Sequence, residues 1–242
     1  MARFFMTLAY RGEPFHGWQI QPGAVSVQEV IEKALSTLLR RPTPIVGAGR
    51  TDAGVNASMM VAHFDADRLL EPRAVNSLVG KDIAVYSIRQ VHEDAHARFD
   101  ATSRTYHYKA VETKSPFLYP LTWYTPHPLD YEAMNRAAAL LLEVEDFTSF
   151  AKLHSDAKTN ICHVTRAEWV KDLTTGGMTF IITADRFLRN MVRAVVGTLV
   201  DVGRGKLSID DFARIIEARD RCAAGTSMPP QALYLHSVTY PY

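Results

Sequence analysis

The order in which apolar segments follow one another is the feature that most limits how this 242-residue chain can fold. Alternating β-branched and aromatic residues indicate strands, whereas apolar residues spaced three and four apart indicate amphipathic helices. In the first part of the chain these patterns predict a strand, a helix, two strands, a second helix and a further strand. The predicted segments are residues 3–10, 27–39, 44–46, 59–64, 72–79 and 82–91. This βαββαβ order is typical of a ferredoxin-like unit.

The second part of the chain repeats this order of elements with one extra helix, without a convincing repeat of the sequence itself. Strands are predicted at residues 104–111, 163–170, 178–184 and 233–240, and helices at residues 131–142, 187–202 and 208–219. We therefore predict an α+β protein of two ferredoxin-like βαββαβ halves, with a central mixed or antiparallel sheet flanked by helices. The predicted halves are residues 1–100 and 101–242.

Composition narrows the class of protein without naming a partner. The chain is 47% hydrophobic, enough for a sizeable core, and its net charge is +1 from 27 basic and 26 acidic residues. That balance is not typical of a nucleic-acid-binding domain, so any basic surface must come from local clustering. The two cysteines, Cys162 and Cys222, lack metal-ligand spacing and favour a reducing compartment. The sequence shows neither a signal-peptide pattern nor a membrane-spanning apolar run, so we expect a soluble cytoplasmic protein.

A glycine-rich stretch, residues 46–57, is the clearest functional signal. Its three glycines lie within eight positions, between two predicted strands. Glycines at this density indicate tight turns or close backbone approaches, so a rigid loop would present the side chains of Arg50 and Asp52. Capping of the local backbone by Asp and Thr is an alternative role. A phosphate-binding loop fits less well, because neither Gly-Lys-Ser/Thr nor a helix pattern follows.

The run Gly-Arg-Thr-Asp-Ala-Gly-Val, residues 49–55, resembles the signature loop of the TruA family of tRNA pseudouridine synthases. In that family the aspartate is catalytic, so the resemblance assigns this role to Asp52. The chain has Asn56 where the family usually has histidine. Gly-Trp-Gln at residues 17–19 and His-Ala-Arg-Phe at residues 96–99 are also similar to family segments.

Tyr106 and Tyr108 share one face of the strand predicted at residues 104–111, because side chains alternate along a strand. Two core aromatics are one interpretation. The run Arg-x-Tyr-x-Tyr also resembles a family motif whose first tyrosine lies against the target base. That resemblance implies that Tyr106 stacks on uracil and offers its phenol for proton transfer.

Arg186, Arg189 and Arg193 are spaced three and four residues apart and would share one face of the predicted helix. A solvated helix face is one interpretation. However, a cation at a helix start is unfavourable with the helix dipole, which favours an anionic partner such as RNA phosphate. The run that ends in Met-Val-Arg at Arg193 also resembles a family segment. It implies that Arg193 pairs with Asp52 and favours the ionised carboxylate.

Residues 228–235, Met-Pro-Pro-Gln-Ala-Leu-Tyr-Leu, resemble the family's Ala-Pro-Ala-x-Gly-Leu motif. The resemblance implies that Leu233 forms the apolar wall of a uracil pocket. Ala232 stands where the family usually has glycine, so the local backbone is the feature that this departure affects.

The family resemblance extends over five motifs in family order and nearly the whole chain. It implies a pseudouridine synthase fold and an enzyme that isomerises uridine to pseudouridine in the anticodon stem-loop of tRNA, at positions 38, 39 and 40. It further implies a homodimer that uses no metal or organic cofactor. The predicted site is Asp52 and Tyr106 for catalysis, Arg50, Tyr106, Arg193 and Leu233 for substrate binding, and Arg186 and Arg189 for RNA phosphate.

Two other classes of function are compatible with parts of the sequence. A non-catalytic RNA-binding module would account for the aromatic residues and arginines but not for the aspartate in the glycine-rich loop. A zinc hydrolase could use His92 and His96, which form the pattern H-E-x-x-H. That pattern binds zinc from a helix, and here it follows a predicted strand, so a turn is favoured.

Overall fold

The computed structural model describes residues 1–153 and 158–242. The chain divides into two compact units, one of Met1–Thr102 with Tyr234–Tyr242 and the other of Ser103–Leu233. Strands and helices are interleaved in each unit, so the predicted α+β class is confirmed. The functional roles assigned to the two predicted halves, residues 1–100 and 101–242, stay a prediction.

The first unit contains the predicted βαββαβ order. Its elements are β1 (Ala2–Tyr10), α1 (Val27–Leu39), β2 (Val46–Gly47), β3 (Asn56–Ala66), α2 (Pro72–Asn76) and β4 (Ile83–Val91). β1 pairs antiparallel with both β3 and β4, and β2 pairs antiparallel with β3. The glycine-rich loop runs from β2 into β3, and because these two strands pair with each other, both ends of the loop are fixed in the sheet.

The second unit is built on three long antiparallel strands. Its elements are β5 (Ser103–Val111), β6 (Trp123–Tyr124), α3 (Tyr131–Ala139), β7 (Val164–Lys171), β8 (Met178–Ala184), α4 (Met191–Gly203) and α5 (Ile209–Ala218). Short 3-10 helices occupy Leu140–Leu142, Thr148–Phe150 and Pro230–Ala232. β8 lies between β5 and β7, and the short β6 pairs parallel with β5.

The closing strand, β9 (Leu233–Thr239), returns to the first unit. It pairs parallel with β3, with Asn56 opposite Tyr234 and Ala57 opposite Leu235. A parallel pair beside antiparallel ones makes the sheet mixed, as expected. The pairing also places the end of the motif at residues 228–235 beside the first residues of β3.

Two serines determine where α1 and α5 begin. Ser26 accepts a hydrogen bond from the Glu29 N–H at 3.2 Å and caps α1. At α5, Ser208 Oγ accepts from the Asp211 N–H at 3.1 Å while Asp211 Oδ2 accepts from the Ser208 N–H at 2.8 Å. These bonds satisfy helix donors that have no partner within the helix. Across the described ranges, 1–153 and 158–242, none of the helices is long and apolar enough to cross a membrane.

The prediction that a helix begins at residue 187 is wrong, because α4 begins at Met191. Asn190 has φ 66°, in the left-handed region that asparagine tolerates and an α-helix does not contain. Arg186 and Arg189 therefore precede the helix. They do not share a helix face with Arg193, and because neither lies in α4, the helix dipole gives no reason to expect an anionic partner at them.

The strand before the glycine-rich loop is shorter and later than expected, since only Val46–Gly47 pair with β3. The preceding backbone has another partner: the Ile45 N–H donates to Glu32 Oε1 on α1 at 2.9 Å. Two prolines, Pro42 and Pro44, also lack the N–H that a paired strand would use.

Candidate functional site

Asp52 lies in a tight turn between β2 and β3. The Val55 N–H donates to the Asp52 carbonyl oxygen at 3.1 Å, which closes a β-turn over residues 52–55. Gly54 is the third residue of that turn and has φ 77°, a conformation that glycine adopts without steric cost. Asp52 is partly exposed and Arg50 is exposed, so the loop presents both side chains at the surface of this unit.

The loop after β1, residues 11–18, holds this turn in place. Tyr10 OH and Thr51 Oγ1 are 2.8 Å apart in a buried hydrogen bond. The Trp18 N–H donates to the Thr51 carbonyl oxygen at 3.2 Å, and the Gly54 N–H donates to the Phe15 carbonyl oxygen at 3.4 Å. Residues on either side of Asp52 are therefore tied to a second segment, which limits the movement of the carboxylate.

Glycines permit the two segments to approach this closely. A Cβ at Gly12 would lie 2.2 Å from the Val55 carbonyl oxygen, and one at Gly17 would lie 2.5 Å from the Thr51 carbonyl oxygen. Gly17 also has φ 88°. Neither position can accept a larger residue without moving the backbone that carries Asp52. The segment that includes Gly-Trp-Gln is thus the support of the aspartate turn.

Asn56, which departs from the family's usual histidine, has a defined role in this support. Its side chain is buried, and Asn56 Oδ1 accepts a hydrogen bond from the Gly12 N–H at 2.8 Å. An imidazole nitrogen could accept the same bond. The departure therefore preserves a hydrogen-bond acceptor beside the turn.

Tyr106 and Tyr108 differ in exposure although both lie on β5. Tyr106 is partly buried, and its ring meets Phe187 edge to face with centroids 5.0 Å apart. Tyr108 is fully buried, and its phenolic oxygen has no hydrogen-bond partner among the residues that the structure describes. Burial raises the pKa of Tyr108, and the positive charge of Arg193 partly opposes that shift.

Arg193 lies in the first turn of α4 and is held by the segment that precedes β9. Its Nε donates to the Met228 carbonyl oxygen at 2.6 Å, and the Met228 N–H donates to the Arg193 carbonyl oxygen at 3.1 Å. Leu233 follows a 3-10 helix that contacts β5, and the residue is 5% exposed. Two sequence-predicted residues, Arg193 and Leu233, thus belong to one locally connected region of the second unit.

Arg186 and Arg189 lie in the loop between β8 and α4. Arg186 is partly buried and Arg189 is exposed. The Arg189 carbonyl oxygen accepts from the Lys152 N–H at 3.0 Å, so the loop is tied to the segment after the 3-10 helix Thr148–Phe150. Their role as phosphate contacts stays a prediction, now based on loop positions rather than on a helix face.

His92 and His96 lie in the turn after β4, not on a helix. His96 Nδ1 accepts from the N–H groups of Arg98 and Phe99, both at 3.1 Å, which orients the ring for a structural role. Within residues 1–153 and 158–242 there is no group of three His, Cys, Asp or Glu side chains arranged to hold a metal ion. The geometry that the H-E-x-x-H zinc site requires is therefore not formed by this turn.

Comparison with known proteins identifies the class. A family model described as tRNA pseudouridine synthase matches residues 137–241. Pseudouridine synthases isomerise uridine to pseudouridine. Similar curated proteins show which family of pseudouridine synthases this chain resembles. A tRNA pseudouridine synthase A from Bacteroides thetaiotaomicron is 57% identical over 100% of this chain and 91% of that protein. Those from Parabacteroides distasonis and Exiguobacterium sibiricum are 56% and 36% identical over 100% of this chain, and over 97% and 98% of those proteins.

This chain belongs to the tRNA pseudouridine synthase A family, which confirms the resemblance seen in its motifs. Among solved structures, Thermus thermophilus Cse3 bound to an RNA is similar with a TM-score of 0.23 and 12% identity, over 99% of this chain and 100% of that chain. A TM-score that low gives no support for a shared fold or a shared function.

Several residues that hold the candidate site were not predicted from the sequence. Thr51 and Asn56 bond to residues near the end of β1, and neither pairing is visible in a local pattern. Gly197, in the middle of α4, did leave a signal: glycine inside a helix costs about 1 kcal/mol relative to alanine. Such a cost often marks a close backbone contact, and a Cβ at Gly197 would lie 1.8 Å from the Thr226 carbonyl oxygen.

Proposed function

We propose that this chain converts uridine to pseudouridine in the anticodon stem-loop of tRNA, at positions 38, 39 and 40, with Asp52 as the catalytic carboxylate. The observation that carries the proposal is the turn at Asp52. It is tied to the loop after β1 on both sides of the aspartate, and it leaves the side chain partly exposed. A carboxylate held in this way is preorganised for a reacting nucleotide. Membership of the family supplies the reaction.

The reaction exchanges one glycosidic bond for another. The bond between C1′ and N1 of uridine breaks, a bond between C1′ and C5 forms, and C5 loses a proton while N1 gains one. Atoms and electrons balance without an oxidant or reductant. Asp52 would detach the base either by bonding covalently to the nucleoside or by removing a proton from the sugar, and both routes require an ionised carboxylate.

The target uridine must leave its stack to reach Asp52, which costs a few kcal/mol. In the proposal, contacts from Arg50, Arg186 and Arg189 to phosphate groups offset that cost. The remaining roles are carried over from the family resemblance: Tyr106 stacks on the base and moves a proton, Leu233 covers it, and Arg193 pairs with the catalytic carboxylate. The resemblance also supports a cytoplasmic homodimer that takes tRNA as its partner.

Tritium release from tRNA transcript labelled at uracil C5 tests the reaction and its central residue together. We expect release by the intact chain, no detectable release by Asp52→Asn, and normal release by Asp67→Asn, a control at an exposed aspartate of the same unit. Equal release by Asp52→Asn would remove the catalytic role from Asp52. tRNA binding without release by any variant would favour a non-catalytic RNA-binding module.

The position of modification and the role of Tyr106 need separate measurements. Transcripts that keep uridine at only one of positions 38, 39 and 40 should each form pseudouridine at that position, and a transcript with cytidine at all three should form none in the anticodon stem-loop. Tyr106→Phe should bind tRNA normally and lose turnover, because stacking remains and the phenolic proton does not. Loss of binding without loss of turnover would contradict the proton-transfer role.

A further inference from the structure

The loop at residues 224–228 covers one face of α4, and its last residue is hydrogen-bonded to Arg193. Arg193 and Gly197 lie one turn apart and share this face. Glycine lets the loop backbone touch the helix, since a Cβ at Gly197 would lie 1.8 Å from the Thr226 carbonyl oxygen. The Gly225 N–H also donates to Thr198 Oγ1 at 2.9 Å. The loop at residues 224–228 is therefore seated directly on the helix.

The end of this loop is hydrogen-bonded to both the backbone and the side chain of Arg193. The Met228 N–H donates to the Arg193 carbonyl oxygen at 3.1 Å, while Arg193 Nε donates to the Met228 carbonyl oxygen at 2.6 Å. Nε lies in the plane of the guanidinium group, so a bond from Nε fixes the orientation of that plane. This bond therefore couples the position of the Met228 carbonyl to the orientation of the Arg193 guanidinium.

Arg221 is hydrogen-bonded to several residues of the same loop. Its Nη1 donates to the carbonyl oxygens of Ala224 and Gly225, at 3.4 and 3.2 Å. Its Nη2 donates to Ser227 Oγ at 2.9 Å, and the same hydroxyl accepts from Asn190 Nδ2. The guanidinium of Arg221 thus binds three neutral oxygens spread across the loop that ends at Met228.

We propose that Arg221 is a positioning residue for tRNA modification. Its hydrogen bonds clamp residues 224–228 against α4, and this loop in turn orients the guanidinium of Arg193. This inference rests on the proposed role of Arg193 at the catalytic carboxylate. The clamp depends on a planar fork with several N–H donors, because its acceptors are separate carbonyl and hydroxyl oxygens. A lysine keeps the positive charge but cannot reach three acceptors in this arrangement.

Arg221→Lys tests the clamp without changing the net charge that RNA meets. The matched control is Arg219→Lys, since Arg219 is nearby in sequence and pairs with Asp146 at 3.2 Å instead of with the loop. Tritium release at saturating and limiting tRNA separates kcat from KM. We expect Arg221→Lys to lower kcat about 10- to 100-fold with little change in KM, because a misplacement of about 1 Å can cost about 10²-fold. Arg219→Lys should leave both values unchanged.

Hydrogen exchange provides a readout that does not depend on activity. The backbone amide of Met228 should exchange faster in Arg221→Lys than in the intact chain, and at the normal rate in Arg219→Lys. Unchanged exchange at Met228 in Arg221→Lys would overturn the clamp. A raised KM with normal kcat would also overturn it, because Arg221 would then contact RNA itself.

A double-mutant cycle distinguishes failure of this inference from failure of the proposed function. If Arg221 acts through Arg193, adding Arg221→Lys to Arg193→Lys should lower kcat no further. Multiplying losses would show that Arg221 acts independently and would overturn the inference. Full activity of Arg193→Met, which removes the positive charge, would instead refute the proposed role of Arg193, and the positioning role of Arg221 would fall with it.

Discussion

At the scale of single residues, the turn that carries Asp52 is held by buried polar groups from the end of β1 and the loop after it. Asn56 supplies the buried acceptor for the Gly12 N–H, and Thr51 pairs with the phenol of Tyr10. Each of these bonds lies inside the first unit, where an unpaired polar group costs more than it would in water. The turn is therefore sensitive to changes that never touch the carboxylate.

Asn56→Ala should lower the free energy of unfolding by about 1–3 kcal/mol, because it leaves the buried Gly12 N–H without its acceptor. Urea denaturation followed by circular dichroism measures the change. Ser58→Ala, at an exposed position of the same strand, should alter stability by less than about 0.5 kcal/mol. Equal stability of the two variants would show that the Asn56 bond contributes nothing.

Tyr108→Phe should raise the free energy of unfolding by about 1 kcal/mol, since it removes a buried hydroxyl that has no hydrogen-bond partner in the described part of the chain. Tyr10→Phe makes the same chemical change at a hydroxyl that pairs with Thr51 Oγ1 at 2.8 Å. It should lower stability by about 1 kcal/mol. Opposite signs in thermal or urea unfolding support this account, and a loss in both variants would contradict it.

At the scale of elements, α4 shows how packing outweighs helix propensity. Its two glycines, Gly197 and Gly203, both reduce helix propensity, yet their surroundings differ. At Gly197 the obstacle to a side chain is the Thr226 carbonyl, whereas at Gly203 it is the Met134 thioether, 2.4 Å from the added Cβ. A backbone carbonyl in a seated loop cannot give way, but the far end of a methionine can adopt another rotamer.

Gly197→Ala should destabilise the protein by about 1–3 kcal/mol through overpacking, despite a gain of about 1 kcal/mol in helix propensity. Gly203→Ala should cost less, because Met134 can move. Differential scanning calorimetry of both variants measures the difference. A higher melting temperature for Gly197→Ala would show that the loop on α4 is not tightly seated.

At the scale of the whole molecule, one buried histidine links folding to pH. His63 lies on β3, and its Nδ1 accepts a hydrogen bond from the Ala97 N–H at 3.0 Å. Burial lowers the pKa of His63 to about 4, and the positive charge of Arg3 acts in the same direction. The carboxylates of Asp65 and Asp100 oppose these effects only in part. The folded protein therefore keeps this imidazole neutral at a pH where the unfolded chain binds a proton.

Stability should fall as the pH is lowered from about 6.5 to about 4, because the unfolded state takes up a proton in that range and the folded state does not. His63→Gln retains an acceptor for the Ala97 N–H and removes the titration. Urea unfolding at pH 7 and pH 5 should therefore show a smaller loss of stability in His63→Gln than in the intact chain. Equal losses would mean that other groups determine the acid sensitivity.

The order of strands and helices followed from local patterns. Alternation and helical spacing act over a few residues, and they specified the βαββαβ order of the first unit and the α+β class. Capping also operates locally: Ser208 and Asp211 are three residues apart and cap α5, which begins within one residue of the predicted start at residue 208. The glycine-rich turn and its aspartate were equally visible, because turn chemistry is encoded within four consecutive residues.

Contacts between residues distant in sequence decided how the Asp52 turn is held, how Arg193 is oriented and where α4 begins. Asn56 bonds to Gly12 across 44 positions, and Arg193 bonds to Met228 across 35. The start of α4 also depended on tertiary structure, since Asn190 takes a left-handed conformation where its side chain reaches Ser227. Local patterns cannot encode such pairs, because their energies depend on distances that exist only once separate segments have packed. The turn that presents Asp52 was therefore evident in the sequence, whereas the groups that hold it and orient Arg193 emerged from the fold.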